Sequence, residues 1–128
     1  MIFGFPPKYV KNITVPELSD KQLFIIAIET IEELKWNINT LSETGCVAIT
    51  KFSLSSWSEE ITVNINNGTI YLKSSCIESQ LIDWGKNKKN ITRFISTFNK
   101  IKEELSLAEI EAKIVKLENS LKAAVSIY

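Results

Sequence analysis

Histidine is absent from this 128-residue chain, and cysteine is scarce. Without histidine no Ser-His or Cys-His pair can form within the chain, and zinc sites built from imidazole are excluded. The two cysteines, Cys46 and Cys76, are too few for the disulfide framework of a small secreted domain. Both lie in strand-like segments, so we expect buried free thiols, with a disulfide between neighbouring strands as the alternative. We expect no metal site, no cofactor and no catalytic residue.

Net charge and long apolar runs are missing as well. Fifteen Lys and Arg are balanced by 15 Asp and Glu, so no overall field attracts nucleic acid or an anionic membrane. The longest apolar run, residues 23–28, is far shorter than the ~20 residues that cross a bilayer. The N-terminus lacks the charged and then apolar segments of a secretory signal. We therefore expect a soluble, cytoplasmic protein whose length suits one domain.

Along the chain, the spacing of apolar residues predicts one helix before and one helix after the four strands of an antiparallel meander. A short strand near Ile13 follows a lead-in at residues 1–12. The sequence SDKQ at residues 19–22 matches a capping box, and residues 20–35 show helical spacing. Alternation from residue 36 to residue 73 predicts four strands, with Asn67-Gly68 as a two-residue hairpin turn. A second apolar stripe predicts a helix from Lys88, with Asn87 as its cap.

This order of strand, helix, four strands and helix is the order of the TATA-binding-protein-like fold. In that fold an antiparallel sheet carries two helices on one face. Residues 13–105 would then form a single α+β domain, and residues 106–128 an additional amphipathic helix. The fold alone indicates no function, DNA binding included.

Positive side chains cluster where the second long helix is predicted to begin. Cations at a helix N-terminus oppose the helix dipole, and a bound anion would offset that cost through the free N–H groups. The side chains are either solvated and paired with acidic neighbours, or they bind a phosphate, a lipid head group or an acidic segment. The cluster consists of Lys86, Lys88, Lys89 and Arg93.

The polar side of the predicted sheet is the natural binding surface of this architecture if no helix covers it. It has few aromatic side chains and little positive charge, which argues against stacked single-stranded nucleic acid. Both a solvated face and a recognition surface fit the pattern. Its predicted members are Asn37, Asn39, Thr62, Asn64, Tyr71 and Lys73.

Three tryptophans and a group of serines complete the candidates. Trp36, Trp57 and Trp84 each adjoin the end of a predicted element, as buried anchors or as a platform for a ligand. The serines around Trp57, at residues 53–58, have no histidine to activate them, and we interpret this segment as a connection between strands.

The C-terminal segment carries apolar residues at alternating spacings of three and four, a heptad seam. It could fold back on the domain, pair with a second copy or connect to further sequence, and we expect self-association. The seam consists of Leu107, Ile110, Ile114, Leu117, Leu121 and Ala124.

Two tryptophan-containing motifs carry a resemblance to a known group of proteins. The runs SSWSEEI at residues 55–61 and DWGKNKKNI at residues 83–91 resemble an uncharacterised bacterial domain. That domain occurs at the N-terminus of some rhomboid-family intramembrane serine proteases. LKWNI at residues 34–38 and TKFS at residues 50–53 fit the same pattern. The resemblance implies a cytosolic accessory domain, at the inner face of a membrane, whose protease chemistry would lie in membrane helices that this chain lacks.

These observations favour a non-catalytic interaction or regulatory domain, with a protein partner or a second copy as the ligand. The alternative is a domain that binds a small ligand or an anion. An interaction domain should present an exposed apolar patch, whereas a ligand-binding domain should present a concave pocket.

Overall fold

The structure, a computed structural model, describes residues 8–50, 58–77 and 85–126. Within these residues, five strands and three helices follow one another in the order β-α-β-β-β-β-α-α, so the predicted α+β class and order are confirmed. The elements are β1 (Lys8–Thr14), α1 (Asp20–Glu33), β2 (Asn37–Leu41), β3 (Gly45–Ile49), β4 (Glu59–Asn66), β5 (Thr69–Cys76), α2 (Lys86–Glu104) and α3 (Leu107–Ser126).

The strands form one antiparallel sheet in the order β1-β5-β4-β3-β2. Strands β2 to β5 make the predicted meander, and β1 lies outside β5, with Lys8 opposite Ser75 and Thr14 opposite Thr69. The predicted lead-in therefore ends too late, since β1 already begins at Lys8. The strand was predicted only near its end, at Ile13, because it is an edge strand whose residues are mostly exposed, so the rest of its sequence shows little alternation of apolar and polar residues.

The turn between β4 and β5 has the predicted conformation, and two hydrogen bonds to α1 stabilise it. Asn67 and Gly68 have φ of 50° and 75°, the left-handed values that a two-residue hairpin turn requires. The amide of Gly68 donates to Oδ1 of Asp20 at 2.8 Å, and the amide of Asn67 donates to Oδ2 at 3.1 Å. The first residue of α1 thus holds the turn in place through two charge-assisted hydrogen bonds.

The core lies between one face of the sheet and helices α1 and α2. Ile61 and Val63 of β4 are fully buried, as are Ile91 and Phe94 of α2. Trp36 is buried beside Phe94, with ring centroids 6.4 Å apart. The predicted apolar side of the sheet and its cover by the stripes of two helices are confirmed.

The N-terminus of α1 has the predicted cap, whereas the N-terminus of α2 does not. Ser19 and Gln22 form the predicted capping box of α1. Helix α2 is capped by Gly85, in the left-handed conformation, so the prediction that Asn87 caps this helix is wrong. The side chain of Asn87 is instead fully buried and turned towards the sheet, where its Oδ1 accepts from Ser74.

Helix α3 forms a third layer on the outside of α1. Lys21 and Glu118 join the two helices at 3.1 Å, and Lys113 pairs with Glu29. The hydrogen bond to Glu29 raises the pKa of Lys113, while burial, followed by repulsion from Glu29, raises the pKa of Glu32. Among the described helices, none combines the length and the apolar character that crossing a membrane requires.

Candidate functional site

The face of the sheet opposite the helices, called here the open face, follows from the strand register. Residues paired across antiparallel strands share a face, which places Val10, Lys73, Thr62 and Val47 in one row. Asn12, Tyr71 and Asn64 form the next row. In the described part of the chain, the helices pack only on the other face, where the buried strand residues lie.

Five of the six residues predicted for this surface are brought together on it. Thr62, Asn64, Tyr71 and Lys73 lie on β4 and β5, and Asn37 belongs to the same face through its pairing with Ile49. Asn39 is the exception, because the register of β2 shifts between Ile38 and Thr40 and leaves Asn39 in the irregularity. Their placement was predictable, and their role in binding stays a prediction.

Apolar and charged side chains on the open face are few. Val10 is 54% exposed and Tyr71 is 43% exposed. They are diagonal neighbours, since Val10 pairs with Lys73, two residues from Tyr71. By the register, the charged members of this face within the described residues are Lys8, Glu60 and Lys73. Most of the surface therefore consists of uncharged hydrogen-bonding groups around a small apolar patch.

The predicted cations lie together at the start of α2. Lys86, Lys89 and Arg93 share one side of the helix at spacings of three and four, whereas Lys88 points elsewhere. The first turn has no acidic residue, and Gly85 supplies no side-chain cap. Three of the four predicted cations are therefore brought together, and the anion site itself stays a prediction.

A buried polar cluster, which the sequence analysis missed, joins α2 to the sheet. It consists of Glu59, Ser74, Asn87 and Asn90, which are 5%, 0%, 0% and 7% exposed. Nδ2 of Asn90 donates to Oε1 of Glu59 at 2.8 Å and approaches Oγ of Ser74 at 3.3 Å. Oγ of Ser74 donates to Oδ1 of Asn87 at 2.8 Å. The cluster is closed to solvent, so it fixes the helix against the sheet rather than presenting groups to a substrate.

One oxygen atom of this cluster has no hydrogen-bond partner among the described residues. Oε1 of Glu59 accepts from Asn90 and lies 3.4 Å from the hydroxyl of Thr50, while Oε2 is buried without a hydrogen-bond partner in the described structure. The stability of this buried carboxyl group therefore depends strongly on the hydrogen bond that Asn90 donates to it. Two signals in the sequence indicated the cluster: Asn87 and Asn90 lie on the apolar stripe of α2, and Ser74 interrupts the apolar alternation of β5.

The two cysteines form no disulfide and are buried, at 5% exposure for Cys46 and 4% for Cys76, as expected. Burial raises the pKa of Cys46 from 9.0 to about 11, which keeps the thiol protonated near neutral pH. Among the described residues, no group of three or more potential metal ligands comes together. The serines at residues 53–57, Trp57 and Trp84 lie outside the described residues, whereas Trp36 is a buried anchor.

The heptad seam of α3 folds back on the domain in part, one of the three arrangements that the sequence left open. Ile110 and Ile114 are 2% and 8% exposed and belong to the core, and the predicted self-association stays a prediction. Leu117 and Leu121 are half-buried, and Leu107 is 62% exposed. The side chain of Ala124 lies outside the described part.

Between α1, the C-terminal half of α3 and the β2–β3 turn runs a groove of about 420 Å³. We call it the α1–α3 groove. Its apolar lining comes from Phe24 and Ile25 on α1 and from Ile114, Leu117 and Leu121 on α3. The charged residues around it are Lys21, Glu43, Glu118 and Lys122. This groove was not predicted from the sequence.

With this geometry in place, the chain can be compared with known proteins. No protein family model matches it. No curated protein matches it at a significant level. Among solved structures it is similar to a DUF4468 family protein from Bacteroides ovatus, with 17% sequence identity and a TM-score of 0.45. The similarity covers 55% of this chain and 53% of that one, so the chain spans about half the length of that neighbour.

Proposed function

We propose that this chain is a non-catalytic interaction domain that binds a protein partner through the open face of its sheet. The observation that carries the proposal is the patch of Val10 and Tyr71, which the described helices leave uncovered. A tyrosine beside an apolar side chain gives a partner a large contact area and a hydroxyl at little cost in conformational entropy.

The composition of the open face defines the chemistry of the partner. Around the patch lie Asn12, Thr62 and Asn64, whose side chains donate and accept hydrogen bonds without carrying charge. Glu60 offsets one of the two lysines, Lys8 and Lys73, so the face has no strong field for nucleic acid or for an acidic partner. We therefore infer a protein surface that is uncharged and rich in hydrogen-bonding groups, with an apolar side chain that contacts Tyr71.

The resemblance at residues 55–61 and 83–91 supports a finer proposal. In it the domain is the cytosolic accessory part of a rhomboid-like membrane protease, and it regulates or recruits substrates without taking part in the chemistry. The full reading frame of the gene tests this proposal. Hydrophobic segments of ~20 residues beyond Tyr128 would support it, and a frame that ends there would contradict it.

Photo-crosslinking at the open face tests the main proposal. Benzoylphenylalanine is introduced at Tyr71 and, as a control, at Glu104, which is exposed at the far end of α2. We expect a discrete protein adduct from position 71 in cells and no such adduct from position 104. The protein in the adduct is then purified, and its affinity for the unmodified chain is measured by calorimetry.

The affinity measurements decide whether the contact is specific. We expect Val10→Asp and Tyr71→Ala each to weaken binding at least tenfold, and Glu104→Ala to leave it within twofold. An absence of adducts at position 71, or binding that both substitutions leave intact, would refute the proposal. Circular dichroism of each variant confirms that the fold is unchanged.

A further inference from the structure

The α1–α3 groove arises because the apolar seam of α3 is covered along only half of its length. Ile110 is 2% exposed and Ile114 is 8% exposed, whereas Leu117 and Leu121, one and two turns further on, are half-buried. There the two leucines line the groove together with Phe24 and Ile25 of α1, which are both buried. The part of the seam that the domain does not seal therefore lines a concave apolar surface.

The size of the groove suits a small molecule. Its volume of about 420 Å³ lies in the range of roughly 300–1,000 Å³ that is typical of ligand pockets. Along α3 it extends from Ile114 to Leu121, about 11 Å at the helical rise of 1.5 Å per residue. That is only two turns, which is short for the stripe that a partner helix needs, with anchors spread over several turns.

The charged rim indicates which head group the ligand carries. Lys21 and Glu118 neutralise each other across the groove at 3.1 Å. Glu43 and Lys122 form no ion pair with another described residue, and their charges are opposite. A ligand with a net charge would be attracted by one of these side chains and repelled by the other. An uncharged polar group can donate to Glu43 or accept from Lys122.

We propose that the α1–α3 groove binds an aliphatic small molecule of medium length with an uncharged polar end, such as an alcohol or an amide. The aliphatic body lies against Phe24, Leu117 and Leu121, and the polar end lies at the rim formed by Glu43 and Lys122. This site is separate from the open face, so the proposal holds whether or not the open face binds a protein.

Titration with 1-decanol tests the proposal on the full chain, followed by the methyl NMR signals of isoleucine, leucine and valine. We expect saturable shifts at Ile25, Leu117 and Leu121. Leu121→Asp places a charge in the groove and Leu121→Trp fills it, so each should weaken binding at least tenfold. Val115→Asp lies on the same helix and changes a side chain that is 58% exposed and outside the groove lining. It should leave binding within twofold.

Decanoate and decylammonium test the head group, and each should bind at least fivefold more weakly than decanol. Tighter binding of either ion would overturn the argument from the rim charges. Shifts that do not saturate, that spread equally to Val10 and Leu107, or that Val115→Asp abolishes would overturn the site itself. If Leu121→Asp disturbs the fold, Leu121→Trp, which keeps the position apolar, decides the outcome.

Discussion

Replacing Asn90 with alanine should destabilise the domain far more than its small polar side chain suggests. Nδ2 of Asn90 donates to the buried carboxylate of Glu59 at 2.8 Å and contacts Ser74 at 3.3 Å. Hydrogen bonds to charged groups contribute about 1.5–3 kcal/mol and neutral ones about 0.5–1.5 kcal/mol. Their loss predicts a decrease of about 2–4 kcal/mol in the free energy of unfolding, a large share of the roughly 5–15 kcal/mol of a typical domain.

Equilibrium unfolding in urea, followed by tryptophan fluorescence and circular dichroism, measures this decrease. Asn99→Ala is the matched control, because Asn99 lies on the same helix and is exposed. It should change the free energy by less than about 0.5 kcal/mol.

A double-mutant cycle then tests the assignment of the loss to the carboxylate. In the Asn90→Ala background, Glu59→Gln removes the charge that lost its donor, so the two changes should be non-additive by about 1 kcal/mol or more. Equal effects of Asn90→Ala and Asn99→Ala, or strict additivity with Glu59→Gln, would refute the reasoning.

Two glycines differ in the space around them. A Cβ on Gly45 would overlap the backbone oxygen of Val63, so Gly45→Ala should lower the free energy of unfolding in urea by about 2 kcal/mol or more. A Cβ on Gly85 would meet no atom within 4 Å, so Gly85→Ala should lower it only by the strain of the left-handed conformation, about 1 kcal/mol. Burial raises the pKa of Cys46 to about 11, so its contribution to the free energy of unfolding is complete below pH 9 and is lost towards pH 11, by up to about 1.4 kcal/mol per pH unit. In Cys46→Ala the free energy of unfolding should therefore decrease less steeply at alkaline pH, and equal decreases in the two proteins would contradict this. Millimolar phosphate should shift the backbone amide signal of Lys89, and Lys89→Gln should weaken the effect severalfold; unchanged spectra would eliminate the anion site.

Local sequence signals predicted the parts of the fold that local chemistry determines. The capping box of Ser19 and Gln22 and the turn at Asn67-Gly68 depend on neighbouring residues only, and both are present. The alternation of β4 and β5 likewise placed Tyr71 and Lys73 on the open face, because successive side chains of a strand point to opposite sides.

Features that depend on distant pairing were not predictable from the sequence. The contact of Asp20 with the β4–β5 turn joins residues 47 and 48 positions apart. The α1–α3 groove depends on where one helix crosses another, which the apolar spacing of each helix does not define. Asn87 and Asn90 lie on the apolar stripe of α2, but only the register of α2 on the sheet brings them together with Ser74.

The position of β1 has a consequence for anyone who shortens this protein. The strand that comes first along the described chain is the outer neighbour of β5, the strand that comes last. A fragment that started at Pro16 would lose a seven-residue partner, and the main-chain N–H and C=O groups of Thr69–Ser75 that point towards β1 would face water. An uncapped strand of this kind recruits strands from other molecules. Deleting β1 would therefore expose the edge of β5 and promote aggregation.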